Sequence, residues 1–270
     1  MAANAAQSNK KAKKIQLFVV FALALIVLSD VTACRRQEAE TVADPKAAAD
    51  KLAQAEKLYS QREDLAKVRQ AFFLARQAQR ADSANYDVAW KVAQFAYYLG
   101  EHTNDERERD DAFRDGTEAA KTAVRLQPNK PEGHFWLGAN YGGTAEHSMV
   151  PSPSSVGDIE TEMGTVLKLR EGFQFGSAYM VLGQVYLRAP RILGGDYQKA
   201  IENLEKGLRF GTNNSLLRLH LAEAYHAVGR DADARKQIEE LLTLTPDPNY
   251  LPEHKEASEK SKKLVAQLKA

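Results

Sequence analysis

Five tyrosines recur along this chain at near-regular intervals. Tyr59, Tyr97, Tyr141, Tyr186 and Tyr225 stand 38, 44, 45 and 39 residues apart. Three and four positions before them lie mostly small or apolar residues: Ala55, Ala93/Gln94, Leu137/Gly138, Leu182/Gly183 and Leu221/Ala222. Downstream of each comes a triplet spaced +4 and +3: Val68/Phe72/Ala75, Gly116/Ala120/Ala123, Ile159/Met163/Val166, Ala200/Leu204/Gly207 and Ala234/Ile238/Leu241. That spacing puts each triplet on one face of a helix. A period of this length marks a stack of supersecondary units, none of which can bury its apolar face alone.

The pattern resembles the tetratricopeptide repeat (TPR), a helix-turn-helix unit with Leu-Gly-x-x-Tyr on its first helix and a small-aromatic-small triplet on its second. The last unit, roughly 215–248, carries Leu221, Ala222, Tyr225, Gly229, Ala234, Ile238, Leu241 and Pro246 at the offsets of that repeat without insertion. The resemblance implies an all-α, TPR-like helix-turn-helix solenoid of about five units over 46–248. The segment 249–270, with Leu264 and Leu268 at i and i+4, is expected to form a C-terminal capping helix over its open end. All nine prolines fall outside the expected helix interiors, where each would cost about 3 kcal/mol or more.

The excess over a 34-residue repeat is expected in three turns between first and second helices. These are His102 to Asp111 (HTNDERERDD), Thr144 to Val156 (TAEHSMVPSPSSV) and Leu187 to Gly195 (LRAPRILGG). Insertions of this kind project from one side of a solenoid and often bind partners. The stretches NKPEGHFWLGANYG and YLRAPRILGGDYQKAIENLEKGL are similar to the T-component lipoproteins of TRAP (tripartite ATP-independent periplasmic) transporters. That resemblance implies a periplasm-facing partner of a transporter's substrate-binding protein, with a small organic ligand. The alternative is a generic TPR adaptor for envelope assembly or cell-wall machinery.

First helices line the concave face of such a solenoid. Counting repeat slots assigns Lys91, Phe95 and Tyr98, then His134 and Phe135, then Met180, Gln184 and Arg188, then Glu223 and His226, to a ligand or partner groove. Mixed aromatic, apolar and isolated charged groups suit a small organic ligand or a partner helix. Arg188 and Arg191 could meet a carboxylate bidentately. Against this, Phe95 and Phe135 can equally be seam residues, and Trp90 and Trp136 read as packing. The groove aromatics leave self-association open.

The N-terminal 33 residues read as a signal segment. Lys10, Lys11, Lys13 and Lys14 precede an apolar run, Ile15 to Leu28, too short for a comfortable membrane span. Val31-Thr32-Ala33-Cys34 resembles the bacterial lipobox, which implies lipidation of Cys34, the only cysteine, and a tether over 34–45. Arg35, rather than Asp, follows the cysteine and favours the outer membrane over the inner. Lys and Arg number 37 against 36 Asp and Glu, so there is no basic excess to suggest nucleic acid. His220, Glu223 and His226 form H-x-x-E-x-x-H, whose two histidines lie on different helix faces and are not the zinc pattern. No P-loop, nucleophile elbow or dinucleotide fingerprint occurs; neither catalysis nor a cofactor is expected.

Overall fold

The computed structural model describes residues 43–148 and 155–268. The signal segment and Cys34 lie outside the described residues, as do residues 149–154 of the second expected turn. Eleven α-helices occur among the described residues, and they pair as helical hairpins. The first unit is α1 (Pro45–Tyr59) with α2 (Leu65–Ala81), and the second is α3 (Tyr86–His102) with α4 (Glu106–Leu126). The third is α5 (Pro131–His147) with α6 (Ser155–Leu169), and the fourth is α7 (Ser177–Arg188) with α8 (Tyr197–Leu208). The fifth is α9 (Ser215–Ala227) with α10 (Asp231–Thr243), and α11 (Leu251–Val265) follows. Each second helix packs on the next unit's first helix, and successive first helices also touch, which is the stacking of a TPR solenoid.

The expected triplets form the seam. Val68 and Ala75, Ala120 and Ala123, Ile159, Met163 and Val166, Ala200 and Leu204, and Ala234, Ile238 and Leu241 are all buried on second helices. Two of the repeat tyrosines also tie one unit to the one before. Tyr186 Oη donates to Glu160 on α6 at 2.5 Å, and Tyr225 Oη donates to Glu205 on α8 at 2.7 Å. Asx caps begin six of the described helices: Asp44, Asp64, Asn85, Asp105, Asp196 and Asn214 each accept from a backbone N–H of the following turn. Pro45 and Pro131 open their helices and Pro252 sits in the first turn of α11, where a missing N–H costs nothing.

The first expected insertion is not a loop. Only Thr103–Asp105 separates α3 from α4, and the rest of HTNDERERDD is the start of a 21-residue helix. Asp105 caps it, and Glu106 and Glu108 complement the helix dipole in its first turn. Glu108 also accepts two hydrogen bonds from Arg69 on α2, at 2.7 and 2.8 Å. The charge run is a helix face paired with its neighbour, not a solvated loop. The third insertion is a loop, with a short 3-10 turn at Arg191–Leu193 and Gly194 in the left-handed region.

An unexpected turn links α6 to α7. Gln174, Phe175 and Gly176 all have positive φ, at 43°, 56° and 79°. A Cβ on Gly176 would lie 2.4 Å from the carbonyl oxygen of Gly207 on α8. Gly176→Ala therefore adds a left-handed penalty to a backbone clash, and a loss of about 2 kcal/mol is expected in urea unfolding. A change within experimental error would show that the turn yields freely.

Candidate functional site in the concave face

The C-terminal helix does more than cover the end of the stack. It packs on α9 and α10 and reaches across to the first two units. Arg62, in the turn between α1 and α2, donates from Nε and Nη2 to the Glu253 carboxylate at 2.8 and 2.6 Å, and to the Asn249 carbonyl at 2.5 Å. Its guanidinium lies over the rings of Tyr59 and Tyr98, at 5.3 and 5.9 Å from their centroids. His102 Nε2 stands 3.5 Å from Glu256 on α11. His254 Nδ1 and Ser215 Oγ, on α9, are 2.7 Å apart.

This bridge turns the concave groove into a chamber of about 620 Å³. Tyr97, Tyr98, Phe135 and Trp136 supply aromatic wall, and Met180 and Gln184 line it from α7. The strained turn at Gln174 and Phe175 forms part of its rim, with the Phe175 carbonyl accepting from Asn214 Nδ2 at 3.3 Å. Glu101, His102, Glu146, Arg188, Glu256 and Lys260 supply the charge.

Of the residues assigned to the groove from the repeat slots, Tyr98, Phe135, Met180, Gln184 and Arg188 line the chamber. Phe95 does not. It is fully buried and stacks on Tyr59 at 4.4 Å, a seam residue between the first two units. Lys91 pairs with Glu56 on α1 at 2.7 Å and lies over Trp90. His134 is buried between Glu162 on α6, at 2.6 Å, and the Pro128 carbonyl, at 2.9 Å. Glu223 pairs with His220 at 2.9 Å, and His226 pairs with Asp231 at 2.7 Å. Arg191 is exposed on the 3-10 turn, whereas Arg188 pairs with Glu146 on α5. The two histidines of H-x-x-E-x-x-H thus turn to different partners. Among the described residues no cluster of three or more His, Cys, Asp or Glu side chains could hold a metal.

Slot counting misses Tyr97, Glu101, His102, Glu146 and the whole contribution of α11. A signal for α11 is present: Glu253 and Glu256 sit about one turn apart on a helix long enough to span the face.

The charged groups perturb one another. Burial, with Glu146 and Glu256 nearby, raises the Glu101 carboxyl to about 7; His102 and Arg188 oppose this. The hydrogen bond from His102 holds Glu256 down at about 2, with burial opposing and Lys260 assisting. Burial opposes the charge on His102, but its hydrogen bonds to Glu256 and to the Tyr98 carbonyl outweigh that and raise it. For Glu101, the folded value lies above the unfolded one. Its contribution to stability is fully present below 4.5 and is lost as pH rises through about 7. Glu101→Gln keeps the site neutral at every pH. The variant's advantage over the parent in urea unfolding is expected to be small at pH 5 and to grow by about 2 kcal/mol by pH 8. Equal stability at both pH values would contradict this placement of Glu101.

Comparison with known proteins agrees with the architecture. A tetratricopeptide-repeat family profile matches residues 192–251. A second profile, described as Regulator of microtubule dynamics protein 1-3, matches residues 51–152, less than half of the chain. No curated protein matches. Among solved structures, TTC0263, a thermophilic TPR protein of Thermus thermophilus, is 19% identical with a TM-score of 0.59, over 78% of this chain and 98% of its own. A MamA protein is 17% identical with a TM-score of 0.47, over 83% of this chain and 97% of its own. The solved TPR structure shares the fold of this chain, a TPR-like helical solenoid, and the repeat profile matches its C-terminal part. No described helix is long and apolar enough to cross a membrane.

Proposed function

We propose that this chain is a membrane-tethered TPR lipoprotein that holds a small organic ligand in its concave chamber. In this reading it serves as a T-component-like partner of the substrate-binding protein of a TRAP-type transporter. The observation that carries the ligand reading is the chamber that α11 partly covers. Its volume of about 620 Å³ falls in the range of small-molecule sites, and its walls combine aromatic surface with a few convergent polar groups. A groove that receives a partner helix has to be open along its length, and α11 already occupies that space. The lipobox-like segment ending in Cys34 supports tethering, periplasm-facing and at the outer membrane, and the TPR stack leaves its outer surface for protein partners.

Crosslinking in intact cells, with the lipidated chain as bait, tests the partner. Recovery of a periplasmic substrate-binding protein or a TRAP membrane subunit is the expected result. Recovery of outer-membrane assembly or cell-wall proteins would overturn it in favour of the generic adaptor. Cys34→Ala is expected to move the protein from the membrane fraction to the soluble one, and unchanged fractionation would overturn the lipid anchor.

A further inference from the structure

The chamber has an excess of acid, and one carboxylate in it has no partner among the described residues. Glu101, Glu146, Asp247, Glu253 and Glu256 line it against two permanent cations, Arg188 and Lys260, with Arg62 adding a third from behind Glu253. Four of these carboxylates are engaged. Glu253 is held by Arg62, Glu256 by Lys260 and His102, Glu146 by Arg188, and Asp247 accepts from the backbone N–H of Asn249. Glu101 is half-buried. The described residues act on it by burial and by charge at a distance, without a hydrogen bond.

The surfaces beside it are aromatic. Tyr97, four residues earlier on α3, feels the charges of Glu101, Glu146, Glu256 and Arg188 at its hydroxyl, so these groups converge on one end of the chamber. The Tyr97 ring meets Trp136 of α5 at 5.7 Å and 51°. The Trp136 indole N–H is buried and has no acceptor among the described residues. Elsewhere in the chamber the protein already sets a cation over aromatic rings, Arg62 over Tyr59 and Tyr98. At the Tyr97–Trp136 end no cation of the chain does so among the described contacts.

We propose that this end of the chamber binds an organic ammonium ion, its charge paired with Glu101 and its apolar body against Tyr97 and Trp136. This rests on the small-ligand reading of the chamber and names the ligand class. A half-buried carboxylate without an ion-pair partner and an aromatic face are the two elements that recognise such cations. Arg188 lies near enough to repel a cation, but Glu146 pairs with it; Lys260 and His102 are likewise paired with Glu256. The groups facing Glu101 are therefore His102 on its own helix, Glu146 on α5, Arg188 on α7 and Glu256 on α11. The cation binds the ionised form of Glu101, so binding releases a proton when Glu101 starts protonated.

The test is calorimetric titration of the full chain, in a non-ionic detergent, with three probes of one shape: 2-phenylethylammonium, 3-phenylpropionate and 2-phenylethanol. The ammonium probe is expected to bind at least tenfold more tightly than the other two. Its affinity is expected to rise between pH 5.5 and 7.5, with proton release in buffers of different ionisation enthalpy. Glu101→Gln is expected to lose that preference and the pH dependence, and Tyr97→Phe, which keeps the ring, to retain both. Tighter binding of the carboxylate or the alcohol, or an ammonium affinity indifferent to Glu101→Gln, would overturn the ammonium assignment while leaving a small-ligand chamber standing. Binding of none of the three would overturn both.

Discussion

Replacing Arg62 with alanine is expected to cost about 3–5 kcal/mol of unfolding free energy, because it leaves a largely buried carboxylate without its partner. The Arg62 side chain is only 8% exposed and that of Glu253 20%. The guanidinium also holds the Asn249 carbonyl and covers two tyrosine rings, so alanine loses four interactions at once. The double replacement Arg62→Met with Glu253→Leu removes both charges, and is expected to recover most of the loss. Urea unfolding measures both variants. A loss below about 1 kcal/mol for alanine, the size of an ordinary surface pair, would mean that the bridge between the two ends is solvated.

Phe95→Ala is the second large effect, about 4 kcal/mol, from a buried ring removed without a way for the seam to collapse. Phe95 is fully buried, stacks on Tyr59 and packs in the main core cluster. The variant separates packing from recognition. A seam residue lowers the unfolding midpoint, whereas a groove residue weakens ligand affinity and leaves the midpoint near the parent value. The first outcome is expected.

The two phenylalanines show how far sequence reasoning reaches in a solenoid. Phe95, two residues before Tyr97, and Phe135, six before Tyr141, both fall on first helices at positions counted toward the groove. Phe135 lines the chamber, and Phe95 lies against Tyr59 in the seam. The period fixes which helix a residue belongs to and roughly which face. It does not settle which side chain a neighbouring ring will cover. The buried triplets of the second helices are legible because they repeat in every unit and answer to one seam. His134 and Lys91 fall outside the chamber because their partners, Glu162 and Glu56, come from adjacent helices at no regular offset.

The charged start of α4 and the course of α11 escape the same reasoning for different reasons. HTNDERERDD has the composition of a loop, and only the cap at Asp105 and the pairing of Glu108 with Arg69 make it helical. A C-terminal helix is legible, but only as a cover for the last unit. Its contact with Arg62 joins residues 191 positions apart, and no local pattern records it. Glu101 follows from this. Alone on α3 it reads as a surface carboxylate; with Glu146, Glu256 and the helix above it, it becomes a half-buried acid of the chamber whose carboxyl pKa is raised.

The chamber exists only if α11 lies across the first unit. Lys255 Nζ stands 4.0 Å from Glu63 at that crossing. The direct measurement is short-spacer bis-maleimide crosslinking of Glu63→Cys with Lys255→Cys in a Cys34→Ala chain, read by peptide mass spectrometry. Rapid intramolecular crosslinking of the monomer, lost when either cysteine is omitted, is the expected result. Two cysteines that react singly and never join would place α11 away from the first unit and leave the concave face an open groove.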